Sequence, residues 1–339
     1  MAIVKRNFWS GKNGPLMIAE IGGNHEGNFQ YAKKLTMQAI QSGADVVKFQ
    51  IYSGDGLVNK KVSPERNKHF KKFQLSKDQH IKLAKLCVSS GVQYNASIWD
   101  LKMIDWVDKY LKFYKIGSGD LTAYPIISEF AKRGKPILLS TGLSNLKEIR
   151  DTIDFIKKIN PNYKKKHMIA IMQCTSMYPT DDKDVNLKVI DKFKDMFNYE
   201  VGYSHHSFGD LALQISYTKG ASVLEFHFTD KREGKTFRDH FISLTKNEVI
   251  TLCSKLKRIK NLLGIDKKYA LKSEIKSGHI KSFRRAIYFN KDIPDMKINL
   301  IDKNYILKKT PKSNFSEDIL FFASQPPGVF TSTDKFYKT

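Results

Sequence analysis

Eight times between residues 16 and 229 a short apolar run is followed by an amphipathic stretch, and this alternation restricts the fold more than any other feature of the chain. The runs are LMIAEIG (16–22), ADVVKFQIY (44–52), VQYNASIW (92–99), KFYKIGSG (112–119), KPILLSTG (135–142), MIAIMQCTSMYP (168–179), YEVGYSHHS (199–207) and ASVLEFHFT (221–229). Most are rich in β-branched or aromatic residues, as strands buried on both faces are. Between them Ala32, Leu35, Ala39 and Ile40 recur at helical spacing. Ser76 and Gln79 predict a capping box ahead of Ile81, Leu83, Ala84 and Val88, and Thr245 and Glu248 another ahead of Val249, Leu252, Leu256, Ile259 and Leu263. Gly43, Gly91, Gly134 and Gly220 fall where a helix hands over to a strand and a left-handed C-cap is wanted. Eight alternating units predict an α/β fold, a (β/α)8 TIM barrel over residues 1–265. An open doubly wound sheet is the alternative; it normally carries a glycine-rich phosphate loop after its first strand, which EIGGNHEG does not match. Beyond the barrel the pattern predicts a polar linker (266–282), a small β-rich domain (283–325) and a loose tail (326–339).

The 339 residues carry a formal net charge of +24, mostly from lysine. Such a balance suits nucleic acid, an anionic membrane or an anionic substrate. The lysines are scattered, however, and the densest runs are KKF (71–73) and KKK (164–166), so a solvated surface is the better reading than a nucleic-acid groove. No apolar stretch is long enough to span a membrane, and the N-terminal residues lack an apolar signal core. Three widely spaced cysteines, Cys87, Cys174 and Cys253, make no disulfide framework and fit a reducing cytoplasm.

Side chains alternate across a strand, so His205 and His206 face opposite ways and only one looks into the barrel. His206 and His227 both lie near the C-terminal ends of neighbouring strands, the end that carries the active site in this fold. Two converging imidazoles suit a metal, and equally an inert pair satisfied by hydrogen bonds; spacing leaves both open. The other strand ends bring Glu20, Lys48, Gln50, Lys115, Ser118, Asp120, Ser140, Thr141, Thr175, Ser176, Tyr178, Ser204 and Glu225 toward the same rim. Two lysines at the ends of otherwise apolar strands fit an anionic phosphate or carboxylate ligand better than they fit surface snorkelling.

The motifs IAEIGGNHEGNF, DVVKFQIY, YKIGSGDLTAYPII, KPILLSTG, CTSMYPT, VGYSHHS and LEFHFT, in this order, resemble the sialic acid synthase (N-acetylneuraminate synthase) family, which includes legionaminate and pseudaminate synthases. The resemblance implies condensation of phosphoenolpyruvate with an open-chain N-acetylhexosamine such as N-acetylmannosamine or a diacetamido-trideoxyhexose. It also implies a small antifreeze-like domain, begun here by FRRAIYFNKDI (283–293), that crosses over the partner's site in a homodimer. By motif, His206 and His227 would bind a divalent metal, usually Mn2+, with Mg2+ or Co2+ as alternatives. Lys48, Ser97, Lys115, Ser118, Ser140, Ser176 and Ser204 would hold phosphoenolpyruvate. Glu20 would be the acid/base carboxylate, and Gln50, Asp120, Tyr178 and Asp239 would lie near the acceptor sugar, with Lys309 where the family has a sugar-contacting arginine. The chain departs from the family pattern at His205, Phe226, and in FRDH (237–240), where Gly-Pro usually precedes Asp-His. Set against this reading stand a Schiff-base aldolase using Lys48 or Lys115, a degenerate sugar-binding relative, and a basic nucleic-acid-binding protein.

Overall fold

The computed structural model describes residues 8–279, 283, 286–289 and 319–322. By proximity of Cα atoms the chain divides into two units, Met1–Gly264 and Ile265–Thr339. In the first, eight strands form a closed parallel barrel: β1 (Gly14–Glu20), β2 (Val46–Ile51), β3 (Gln93–Ile98), β4 (Tyr114–Ile116), β5 (Ile137–Ser140), β6 (Ile169–Cys174), β7 (Glu200–His205) and β8 (Val223–His227). Neighbours in sequence are neighbours in space, and β8 returns to pair with β1, Glu20 standing opposite His227. In the second unit Ala286–Phe289 pairs antiparallel with Ile319–Phe322. Most residues expected to build an antifreeze-like domain, Lys309 among them, lie outside the described residues.

The strands form where the apolar runs predict them because both faces are covered. Outward residues such as Met17, Val47, Phe49, Ile116, Ile171 and Phe226 pack under the helices. Inward residues at the lower end make a second, smaller core of Trp9, Leu16, Ile18, Val46, Phe113, Leu138, Ala170, Met172 and Val223. Trp9 is fully buried, meets Phe113 edge-on at 5.3 Å and donates its indole N–H to the His167 carbonyl at 2.9 Å. It arrives there on a short hairpin, Ser10–Gly11 against Gly14–Pro15, and seals the barrel's N-terminal end.

The helices follow their caps. Ser76 and Gln79 close the expected box reciprocally, at 2.8 and 3.3 Å, ahead of Lys77–Ser89. Glu248 accepts from the Thr245 N–H at 2.7 Å ahead of Lys246–Leu263. Gly43, Gly91, Gly134 and Gly220 all have positive φ, as a left-handed helix exit requires. Two positions expected on buried faces are exposed, Val88 at 58% and Leu263 at 56%, each in the last turn of its helix. The sixth apolar run is strand only to Cys174; Thr175, Ser176 and Tyr178 belong to the loop beyond it, ahead of Pro179, which cannot donate to a ladder. Among the described residues no helix is long and apolar enough to cross a membrane. The three cysteines are free and buried.

Candidate active site

Reading inward positions up each strand, apolar side chains give way to ionic ones. Ile18 is followed by Glu20, Val46 by Lys48, Phe113 by Lys115, Leu138 by Ser140, and Val223 by Glu225 and then His227. The register sets these residues side by side, with Glu20 opposite Lys48, Ser97 opposite Lys115 and Ser204 opposite Glu225. Period-two alternation therefore builds a charged layer directly on an apolar one.

In that layer two ammonium groups interleave with two carboxylates, all four side chains buried. Lys48 Nζ lies 2.6 Å from Glu20 Oε2, an ion pair without a well-directed hydrogen bond, and 3.7 Å from Glu225 Oε2. Lys115 Nζ donates to Glu225 Oε1 at 3.1 Å and to the Ser140 hydroxyl. Ser204 donates to the same Glu225 oxygen at 3.0 Å, Lys48 reaches Ser97 Oγ at 3.4 Å, and Gln50 Nε2 donates to Glu20 Oε1 at 3.2 Å. The two carboxyls are pushed apart in acidity. Burial raises Glu20 above the usual range, and the neighbouring Lys48 does not fully offset it. Burial works the same way on Glu225, but Lys115 and Lys48 together outweigh it and hold Glu225 below the usual range. Lys48 is held protonated: burial disfavours its charge, and Glu20 and Glu225 more than compensate.

Ser118 and Ser176 meet beside Gly142. The Gly142 N–H donates to Ser118 Oγ at 3.0 Å, and a Cβ on Gly142 would lie 2.4 Å from Ser176 Oγ and 2.8 Å from Ser118 Oγ. Any side chain at Gly142 would force these hydroxyls to move.

One step higher, His206 and His227 come together with ring centroids 5.4 Å apart, and Tyr178 packs on both, at 4.2 and 5.7 Å. His205 turns outward as alternation demands and bonds Gly209 O at 2.8 Å. His206 Nδ1 bonds the Thr175 carbonyl at 2.7 Å. A carbonyl only accepts, so Nδ1 carries the proton and Nε2 the lone pair in the neutral ring. His227 Nδ1 is buried with no hydrogen-bond partner, 3.6 Å from Asp239 Oδ2. Burial and the neighbouring His206 keep His227 neutral well below its ordinary range. Burial also opposes charge on His206, but Cys174, 3.7 Å from its Nδ1, draws it upward. Burial raises the Asp239 carboxyl despite the adjacent Arg238.

Among the described residues no group of three or more His, Cys, Asp or Glu side chains is arranged to hold a metal ion. The donor set present is two imidazoles, one with its outer nitrogen tied to a carbonyl and one with an orphaned buried nitrogen. That set fits a divalent cation whose remaining ligands come from water and substrate.

Of the sequence-predicted residues, Glu20, Lys48, Gln50, Ser97, Lys115, Ser140 and Ser204 share the charged layer. Ser118 and Ser176 line its edge, and Tyr178, His206, His227 and Asp239 form the layer above. Asp120, in the same short turn as Ser118, borders a cavity of about 410 Å³ shared with Asn59, Arg66, Phe70 and Trp99; burial raises its carboxyl, and Trp99 and Lys115 only partly offset this. Two residues gained no role from sequence. Glu225 binds both lysines, and the signal was its shared face with His227. Arg238 stacks on Tyr178, Cζ 4.6 Å from the ring centre, and no periodic signal marks a loop residue.

The chain is 33% identical over 290 residues to N,N'-diacetyllegionaminic acid synthase of Legionella pneumophila, covering 82% of this chain and 80% of that protein. It is 30% identical over 325 residues to N-acetylneuraminate-9-phosphate synthase of Homo sapiens, covering 92% of this chain and 88% of that protein. Among solved structures, an N-acetylneuraminic acid (sialic acid) synthetase from Leptospira borgpetersenii matches with a TM-score of 0.72 at 25% identity, covering 79% of this chain and 92% of that one. The NeuB family pattern matches residues 35–268, which span all the strands from β2 to β8 and the paired imidazoles, and the chain belongs to the NeuB family.

Proposed function

We propose that the protein condenses phosphoenolpyruvate with an N-acylated hexosamine aldehyde, giving a nonulosonic acid and inorganic phosphate. The observation that carries this reading is the buried alternation of Glu20, Lys48, Glu225 and Lys115 directly beneath His206 and His227. The donor's phosphate and carboxylate need fixed cations and hydroxyls. Lys48, Lys115, Ser97, Ser118, Ser140, Ser176 and Ser204 supply them. The acceptor enters above, against Gln50, Tyr178 and Asp239.

His206 and His227 would hold a divalent cation, Mn2+ on the family resemblance, and that cation would supply Lewis-acid polarisation of the acceptor's carbonyl oxygen. Carbon C3 of phosphoenolpyruvate forms the new bond to the carbonyl carbon, the carbonyl π pair moves onto oxygen, which ends protonated by the proton that the added water gives up, and positive charge develops at C2. Ionised Glu225 faces that charge. Glu20, whose proton affinity burial has raised, takes the proton of the water that adds at C2. The resulting tetrahedral centre expels phosphate and leaves the 2-keto acid. Lys48 is held protonated by its carboxylates, which argues against a Schiff-base aldolase using it as nucleophile.

Phosphate release from phosphoenolpyruvate with Mn2+ and a panel of acceptor aldehydes tests the reading. Acceptor-dependent release that stops with chelator is expected. Release unaffected by chelator, or a Schiff base trapped by borohydride, would sink it. The reading extends to a homodimer in solution, checked by light scattering on the active enzyme.

A further inference from the structure

Among the described residues Arg238 is the one cation of the upper layer that the catalytic scheme leaves unused. We infer that Arg238, paired with Asp239 and laid on Tyr178, is the acceptor-specificity residue of this enzyme and recognises an acylamino group on the sugar; this rests on the condensing reading above. The guanidinium uses Nε to donate to Asp239 Oδ1 at 3.3 Å. Both terminal amino groups of its fork are without partners among the described residues, and the side chain is 68% exposed while Asp239 is 6% exposed. It stands at the mouth, one stacked spacing of 4.6 Å above Tyr178, whose ring lies 4.2 Å from that of His206. A substituent on an acceptor whose aldehyde sits at the imidazoles reaches this point.

The chemistry offered there is a donor, an acceptor and an apolar face. Arginine donates N–H groups, the Asp239 carboxylate accepts, and the Tyr178 ring presents its π surface. A secondary amide is the complement: its carbonyl takes the arginine, its N–H takes the carboxylate, and its methyl lies on the ring. A hydroxyl fills only one of these positions. A phosphate dianion fits poorly, because the Asp239 carboxylate already balances the guanidinium and would repel a second anion.

The test is calorimetric binding of N-acetylmannosamine, mannose and N-acetylmannosamine 6-phosphate to the Mn2+-loaded enzyme, with phosphate release from phosphoenolpyruvate measured in parallel. Wild type is expected to prefer the acetamido sugar over mannose. Arg238→Ala is expected to weaken the acetamido sugar about tenfold and leave mannose nearly unchanged, since a charge-assisted hydrogen bond is lost only from the former. In turnover the change falls on acceptor KM, with kcat and donor KM held. Arg238→Lys, which keeps charge but not the fork, recovers only part of the preference. An unchanged ratio between acetamido sugar and mannose in Arg238→Ala overturns the inference whether or not phosphate is released. So does a loss confined to the 6-phosphate sugar, which would mark an anion site. Absence of phosphate release with every sugar speaks against the condensing reading alone, because the binding ratio still decides the role of Arg238.

Discussion

Glu20 and Glu225 are the same functional group in the same layer, yet their surroundings give them opposite acidities. The split separates a proton carrier from a fixed anion and predicts different phenotypes for one substitution. Glu20→Gln should lower kcat by about 10²- to 10⁴-fold with little change in stability, measured by steady-state phosphate release and urea unfolding. Glu225→Gln removes the carboxylate shared by Lys48 and Lys115 and should cost about 3–5 kcal/mol of stability as well as activity. His206→Ala and His227→Ala should each lose Mn2+ affinity and turnover together, by titration calorimetry and assay; full activity in metal-free His227→Ala would contradict the scheme. Alternation along strands made the ring of site residues legible in the sequence. It could not say which carboxylate is the weaker acid, because that depends on burial and on how closely each one meets the ammonium groups of two other strands. The FRDH departure was visible, but not the loop path that lays Arg238 on Tyr178.

At the scale of elements, the legible features were those written in local chemistry. Buried runs became strands, Ser76 with Gln79 and Thr245 with Glu248 became caps, and four glycines became left-handed exits. Thr245→Ala should cost about 1 kcal/mol in a chemical denaturation series. A third reciprocal cap, Asn145 with Glu148 at 2.8 and 3.0 Å, departs from the Ser/Thr-x-x-Glu/Gln form of the box, although asparagine caps as well as serine does. The turn after β5 illustrates what sequence hides. Gly142 could pass for an ordinary loop glycine until Ser118 and Ser176 arrive from other turns. Gly142→Ala should displace both hydroxyls and lower kcat/KM for phosphoenolpyruvate by about 10- to 100-fold, with far less effect on acceptor KM.

For the whole molecule, three buried histidines link stability to pH. Burial lowers His25 to about 4, His80 to about 3 and His205 to about 4. Each is neutral when folded and takes up a proton on unfolding once the pH falls below its unfolded value of 6.5. Their contribution is therefore complete above that value and is lost as pH falls toward the folded values. Each group gives a limiting slope of about 1.4 kcal/mol per pH unit. Unfolding free energies should fall from pH 7 to pH 4.5, with His25, His80 and His205 contributing a proton uptake approaching three beside that of the buried His227 and His240; His80→Gln should reduce the total uptake by about one, and an unchanged uptake would refute the linkage. The sequence carried the barrel's closure but not its sealed base, since the segment around Trp9 has no periodicity of its own. That base has a kinetic consequence. With Trp9 and Phe113 closing one end, the lysine layer is a blind shaft, and whatever rests on it must arrive before anything settles at the imidazoles. On the proposed reaction phosphoenolpyruvate must then enter ahead of the sugar, and excess acceptor that settles first should block the shaft and inhibit by competing with the donor.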